Sequence, residues 1–286
     1  MKLSALGSTL KEKLRGRFPD HLLEAIPSSF DVIGSRSGAV AIIEIPDALR
    51  KNEQQIAKAV MEVQKNVRSV LAKDSARRGE HRLRELRLIL GDPNTEVEHI
   101  ESGCRFILDP QLVYFSTRES TERTRIVSMV KPGEEVLVMF SGVAPIPIRI
   151  AKSVSNVNVI GIEINPEAHR YAERNVRLNK LSDRIQLILG DVRDVCPTLE
   201  RTFDRVLMPL PKGAHRFLDV GVQMVRKEGV LHLYHWAPED DLFTEATALI
   251  CAEAEKQMRT ARFLSGVKVS LYSPKVCKVR VDSQIM

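Results

Sequence analysis

The pattern of hydrophobic positions changes character about one third of the way along the chain. Upstream, residues 39–45 (AVAIIEI) form an apolar run broken by one glutamate, which reads as a β-strand, and Pro46-Asp47 opens a helix after it. Ile56, Val60, Val63, Val67 and Val70 recur at helical spacing and predict one amphipathic helix face. Then come residues 83–90, a Gly91-Asp92-Pro93-Asn94 turn, and strands around 97–100 and 105–108. This pattern predicts a small α+β module over residues 1–105.

From about Lys131 the chain alternates. Residues 136–140, 158–164, 184–189, 205–208 and 230–234 are short apolar runs, and helical stretches near 146–154, 166–179 and 214–226 lie between them. Pro166 suits a first helical turn, and Gly229 after Arg226-Lys227 suits a stop. Strands alternating with helices predict an α/β unit over residues 106–286, a Rossmann-like, mostly parallel sheet covered on both faces. Residues 267–272 and 276–281 are expected to pair antiparallel at its edge.

Composition narrows the classes. Hydrophobic residues make up 43% of the 286 positions and charged residues 28%, a globular balance rather than a disordered one. No apolar run approaches the roughly 20 residues that span a bilayer, so no membrane partner is expected. MKLSALGSTLKEK lacks the apolar core of a secretory signal. Cys104, Cys196, Cys251 and Cys277 are far apart, with no CxxC pair. They are expected to be buried free thiols in a cytoplasmic protein without a metal site. The histidines of Leu-His-Leu-Tyr-His (231–235) alternate as ordinary strand residues. The net charge is only +6, but residues 50–91 hold eleven basic against five acidic side chains while the remainder is balanced. That concentration is the kind of footprint that contacts nucleic-acid phosphates.

In an open parallel sheet, ligands sit at the carboxyl ends of the strands where the strand order reverses. Gly142 follows the first strand of the alternating region and lets backbone approach a ligand. Glu163 ends the second strand and can accept hydrogen bonds from both hydroxyls of a ribose, and Asp191 follows the third. The full GxGxxG loop that a pyrophosphate favours is absent, so this set suits S-adenosylmethionine better than a dinucleotide. After the fourth strand, the Met208-Pro209-Leu210-Pro211-Lys212 turn can fix backbone carbonyls at a cofactor's reactive edge.

Several stretches resemble one family. Tyr-Phe-Ser-Thr-Arg-Glu-Ser-Thr-Glu-Arg-Thr-Arg (114–125), Met-Phe-Ser-Gly-Val-Ala-Pro (139–145), Ile-Glu-Ile-Asn-Pro-Glu-Ala (162–168) and Leu-Asn-Lys (178–180) begin the match. Gly-Asp-Val-Arg (190–193), Leu-Pro-Lys-Gly-Ala-His-Arg-Phe-Leu-Asp (210–219) and Tyr-Ser-Pro (272–274) continue it. Arg-Leu-Arg-Glu-Leu (82–86) and Ser-Gly-Cys-Arg-Phe (102–106) resemble the family's middle domain. Together they are similar to the archaeal and eukaryotic class I tRNA (guanine-37 N1)-methyltransferases and their wybutosine-pathway relatives, from about Leu10 onward. Three positions depart from that pattern: Val138 stands where an Asp is usual, Ala144 where a glycine is usual, and Pro209 where an Asn is usual. No counterpart of the small N-terminal module of many members is read.

The resemblance implies roles. S-adenosylmethionine would be held by Phe140, Gly142, Glu163, Asp191, Pro209 and Leu210. Methylating guanine N1 requires a base for its proton and a cation or donor for the charge that develops on O6. Glu122 is the candidate base, Arg82 the candidate for O6 with Arg84 as its alternative, and Pro209 shapes the reacting edge. Arg84, Arg118 and Lys212 are candidate substrate contacts on the tRNA anticodon stem-loop, with Tyr114 and Phe115 either in the pocket or in the core. The simpler role for Glu122 is a helix-surface pair with Arg125 or Arg118. Three alternatives stand beside methylation: aminocarboxypropyl transfer from the same cofactor, methylation of a wyosine precursor, and tRNA binding without catalysis. A monomer is the default.

Overall fold

The computed structural model describes residues 10–74, 85–210 and 212–286. Two compact units divide the chain, Met1–Arg118 and Glu119–Met286. The boundary expected at 105/106 falls within a strand of the first.

The first unit runs α1 (Asp20–Ala25), β1 (Asp31–Ser35), β2 (Gly38–Ile43), α2 (Glu53–Val63), β3 (Val67–Lys73), β4 (Leu86–Gly91), β5 (Val97–Glu101) and β6 (Cys104–Leu108). β1 to β4 form one sheet in sequence order, with β2 and β3 parallel and joined through α2. β5 and β6 form a separate hairpin. Ile56, Ala57 and Val60 of α2 pack with Ala39, Ala41 and Ile43 of β2 and with Val67 and Val70 of β3 in one apolar core. Val67 and Val70 were expected to continue the helix. They belong to β3 instead, because the helix ends at Val63 and Val70 pairs with Ala41 across the parallel ladder. A strand buried on both faces carries no period of two, so its valines extend a helical spacing by coincidence.

The second unit runs α3 (Ser120–Met129), β7 (Glu135–Met139), α4 (Pro145–Ser153), β8 (Asn158–Glu163), α5 (Pro166–Leu178), β9 (Ile185–Leu189), α6 (Val192–Val195), β10 (Phe203–Met208), α7 (Leu218–Met224), β11 (Val225–Pro238), α8 (Thr244–Lys256), β12 (Ala261–Ser273) and β13 (Val276–Ile285). Its seven-stranded sheet has the order β12-β13-β11-β10-β7-β8-β9. β7 to β11 are mutually parallel, and β13 and β12 add antiparallel to the end. This is the α/β, Rossmann-like sheet that the alternation implies. Pro166 opens α5, and the Asn165 side chain caps it by accepting the Glu167 N–H at 3.0 Å. α8 escapes the apolar pattern because its inward positions include small alanines, Ala246 and Ala254.

Among the described residues, no helix is long and apolar enough to cross a membrane. All four cysteines are free thiols. Cys104, Cys196 and Cys277 are buried, but Cys251 is only half-buried, on α8. Burial pushes the Cys196 thiol up to about 12, so it stays protonated.

Gly91 ends β4 at φ +111°, and a Cβ there would lie 2.1 Å from the carbonyl oxygen of Arg68. Gly91→Ala therefore combines left-handed strain with a backbone collision and should cost about 2 kcal/mol or more. Urea denaturation should show a lower midpoint with an unchanged m-value; an unchanged midpoint would refute the account.

Candidate active site

The strand order reverses between β7 and β10, so the loops after these strands flank the ligand-binding end of the sheet. The loop after β7 is built from left-handed residues: Phe140 at φ +58°, Gly142 at +57° and Ala144 at +63°. The Ser141 N–H binds the Ile162 carbonyl at 2.8 Å, which ties the loop to β8. Glu163 does the rest with both oxygens: Oε2 accepts the Gly142 N–H at 2.7 Å and Oε1 the Asn165 N–H at 2.9 Å. A Cβ on Gly142 would meet nothing within 4 Å, so the loop backbone there faces open space.

Two of the three departures take on physical meaning in this geometry. Ala144 sits at the N-cap of α4 with left-handed backbone, a conformation that glycine adopts freely and that a Cβ strains. Val138 is fully buried, paired with Gly161 on one side and Leu207 on the other, so its contribution is packing.

Other expected residues follow the same edge. Asp191 caps α6 by accepting the Arg193 N–H at 2.8 Å. Phe140 stands edge-on to Phe217 with centroids 5.1 Å apart, and Arg193 lies over the same Phe217 ring. Pro209 makes a tight turn in which the Leu210 N–H returns to the Met208 carbonyl at 2.8 Å. Lys212 Nζ lies 5.9 Å from the Trp236 ring centre, and Trp236 stacks on Tyr272 at 3.9 Å.

Glu122 lies in the first turn of α3, and only 4% of its surface is exposed. Its Oε1 accepts the Tyr234 hydroxyl at 2.8 Å and a guanidinium N–H of Arg280. Its Oε2 has the expected helix-surface partner, Arg125, at 3.4 Å. Arg280 forks onto Asp282 at 2.7 and 3.1 Å. Asp282 is also bonded to His232 Nδ1 at 2.6 Å and accepts the Ser265 hydroxyl at 2.7 Å. Arg205 can only donate, and it reaches His232 Nε2 at 2.7 Å, so His232 is the neutral tautomer with its proton on Nδ1. Arg205 closes the network on Glu134 and on the Met129 carbonyl, the last residue of α3. His232 is therefore a network member rather than an ordinary strand residue. Sequence reasoning also missed Tyr234, Arg280 and Asp282. The alternation Lys278-Val279-Arg280-Val281-Asp282 was the available signal, since it places three charges on one face of β13.

The remaining candidates belong to the first unit or lie outside the described residues. Arg118 pairs with Asp31 at 2.6 Å, within the first unit. Phe115 is buried there against Phe106 and His99, whereas Tyr114 is 39% exposed. Arg82 and Arg84 lie outside the described residues, as does Pro211.

Residues 97–261 match the family model described as the TRM5/TYW2 methyltransferase domain, and residues 10–95 the one described as the TYW2 N-terminal domain. The tRNA (guanine(37)-N(1))-methyltransferase Trm5b of Pyrococcus abyssi is 39% identical over 267 residues, which cover 93% of this chain and 78% of that protein. The tRNA(Phe) (4-demethylwyosine(37)-C(7)) aminocarboxypropyltransferase of Pyrococcus horikoshii is 26% identical over 285 residues, covering 100% of this chain and 99% of that one. The solved complex of aTrm5 and tRNALeu matches with a TM-score of 0.84 and 30% identity over 97% of this chain and 78% of that one.

Two outcomes are expected. Ala144→Gly should raise stability by up to about 1 kcal/mol, the left-handed penalty relieved minus the added chain entropy; a loss of stability would overturn the strain account. Burial lowers the His232 imidazole, against the raising effect of Asp282. Burial would raise the Asp282 carboxyl, but His232 and Arg280 bring it well below the usual carboxylate range. The unfolded chain therefore binds more protons than the native one below the ordinary histidine pKa of about 6.5, and stability should fall as pH drops through that value and onward. Melting temperatures across pH 4–8, taken as roughly the titration range of these groups, should show a shallower slope in His232→Gln. An identical slope would exclude His232 as its source.

Proposed function

This chain belongs to the TRM5/TYW2 methyltransferase family, and on that premise we propose that it methylates N1 of guanosine 37 in tRNA. It is an S-adenosylmethionine-dependent enzyme. The observation that carries the reading is the pairing of two carboxylates in one unit. Glu163 fixes an open glycine loop at the strand reversal, and Glu122 is a buried carboxylate held by fixed donors.

The crevice fits the cofactor. Glu163 ends β8 beside the glycine loop, where a strand-end carboxylate can accept hydrogen bonds from ribose hydroxyls. Among the described residues the buried Ser141 hydroxyl has no hydrogen-bond partner, and the open space before Gly142 admits a ligand close to backbone. Phe140, Asp191, Pro209 and Leu210 would complete the contacts. When bound, S-adenosylmethionine supplies an electrophilic methyl on its sulfonium and leaves as the neutral thioether.

The residues of the chain handle the proton and the charge. Glu122 takes the N1 proton of guanine as the N1 lone pair forms the new N–CH3 bond, and later returns that proton to water. A positive group near O6 offsets the charge that the departing proton leaves, the role assigned to Arg82 or Arg84. Pro209 stiffens the turn at the reacting edge, and Lys212 and Arg118 would meet the tRNA, Arg118 by exchanging Asp31 for phosphate. Lys51, Lys58 and Lys65 in the basic segment are exposed and free to add phosphate contacts on the anticodon stem-loop.

Aminocarboxypropyl transfer from the same cofactor is the second reading. It is favoured by the matched TYW2 N-terminal domain and by the Pyrococcus horikoshii relative, whose similarity extends over 100% of this chain. The greater identity to the guanine-N1 methyltransferase favours methyl transfer.

The test uses tRNA transcripts with guanosine or adenosine at position 37 and cofactor labelled in either the methyl or the aminocarboxypropyl group. Methyl label should enter only the guanosine transcript, and Glu122→Gln should slow transfer by about 100-fold or more. Label entering solely from the aminocarboxypropyl group would establish the second reading. Equal methylation of both transcripts would refute guanine N1 as the acceptor. In parallel, Glu163→Ala should weaken calorimetric binding of S-adenosylmethionine by about 10-fold or more; unchanged affinity would remove Glu163 from the cofactor site.

A further inference from the structure

The two oxygens of Glu122 are not equivalent. A carboxylate oxygen has two lone pairs in the carboxyl plane. Oε1 spends both, one on the Tyr234 hydroxyl at 2.8 Å and one on Arg280. Oε2 has one contact among the described hydrogen bonds, Arg125 at 3.4 Å. That bond is long, and the Arg125 side chain is 45% exposed, so solvent competes for it and it breaks at little cost.

The groups on Oε1 are rigid. Tyr234 is 1% exposed on β11, and Arg280 is 2% exposed at the facing position of β13. Arg280 cannot swing, because Asp282 grips it through two N–H groups and is itself fixed by His232 and Ser265. Arg205 carries the network back to the Met129 carbonyl, so the same set of bonds holds both ends of α3.

We propose that Tyr234 and Arg280 are positioning residues that clamp Oε1 of Glu122 and thereby present Oε2 as the oxygen that takes the substrate proton. The inference rests on the reading of Glu122 as the base. Neither Tyr234 nor Arg280 is assigned contact with the substrate. Burial and the Glu122 charge push the Tyr234 phenol well above its usual range, so it remains a donor throughout the working pH range. In the proton-transfer step the N1–H bond breaks, an O–H bond forms at Oε2, and the clamp on Oε1 stays intact. Arg125 gives way as the proton arrives.

Tyr234→Phe is the decisive variant, because it keeps the buried ring and removes one donor. Single-turnover methylation of the guanosine-37 transcript should slow by about 10-fold or more, with KM for tRNA and cofactor within about twofold of the parent. The acid limb of the rate profile should move to higher pH, since a donor to the carboxylate form is lost. The charged groups facing Glu122 are Arg280 from β13 and Arg125 from its own helix, with Tyr234 from β11, and none of the others changes in this variant. Arg280→Lys should recover part of the rate that Arg280→Met loses, because it keeps the charge but not the fork. Melting temperature, followed alongside, separates loss of fold from loss of rate.

A parental rate and pH profile in Tyr234→Phe, with Glu122→Gln inactive, would overturn the clamp and leave the base assignment standing. Full activity in Glu122→Gln would overturn the base assignment and the clamp with it. A rise in KM with an unchanged single-turnover rate in Tyr234→Phe would place Tyr234 in substrate binding and refute the positioning role.

Discussion

The contact between Glu122 and Arg280 decides how α3 lies against the large sheet. Most helices dock by an apolar stripe. α3 buries only Glu122, Arg123 and Ile126, so two of its three inward side chains are charged. Its second anchor is also ionic: Glu119 accepts from Lys278 at 2.7 Å, and Lys278 lies 5.0 Å from the Tyr234 ring centre. Arg280 and Lys278 are alternate residues of β13, and they meet Glu122 and Glu119 one helical turn apart. Burying such pairs costs most of what their attraction returns, whereas breaking one leaves a stranded charge at about 3–5 kcal/mol. The arrangement therefore adds little net stability over apolar packing, but it penalises any other register of the helix. A group that must hold a carboxylate in one orientation needs that kind of constraint.

The loop proposed to hold the cofactor follows a parallel logic with backbone in place of guanidinium groups. Phe140, Gly142 and Ala144 hold left-handed conformations that would relax if the loop were free. Glu163 and the Ile162 carbonyl prevent this by binding the N–H groups of Gly142 and Ser141. The carboxylate proposed to bind a ribose thus also shapes the glycine loop beside it. One side chain couples β8 to the loop after β7, and losing it would disturb both functions at once. Ala144 carries its share of strain at the helix start, where the neighbouring prolines at 145 and 147 already restrict the chain.

How much of this was legible depended on whether a signal was local. The strand-and-helix alternation, the helix start at Pro166, the glycine loop and the strand-end Glu163 are consequences of short-range chemistry, and each was visible in the pattern. Val67 and Val70 misled because a strand buried on both faces shows no alternation. α8 was hidden because small alanines mark its inward face. The partners of Glu122 were illegible for a different reason. Tyr234 and Arg280 are 112 and 158 residues away from it in sequence. The Lys-Val-Arg-Val-Asp alternation suggests a solvated face on a strand near the end of a sheet. Only the tertiary arrangement shows that α3 covers that face and turns a polar stripe into a buried network.

The charge of the basic segment shows the same limit from the other side. Counting residues 50–91 gives a clear surplus, yet several of these cations are already occupied. Arg87 forks onto Glu53 and also reaches Asp74, Arg50 pairs with Asp47, and Lys73 lies 3.6 Å from Asp31. Arg68 donates to the Glu96 carbonyl. Arg77, Arg78, Arg82 and Arg84 lie outside the described residues. A cation engaged by a carboxylate contributes to the long-range field only as half of a dipole, which decays faster than a charge and is screened over about 10 Å at 0.1 M salt. Steering of a polyanion toward this unit therefore depends on the exposed Lys51, Lys58 and Lys65 more than on the segment's formal total. Net charge marks a candidate surface for nucleic acid; the pairing of its members decides which cations are free to act there.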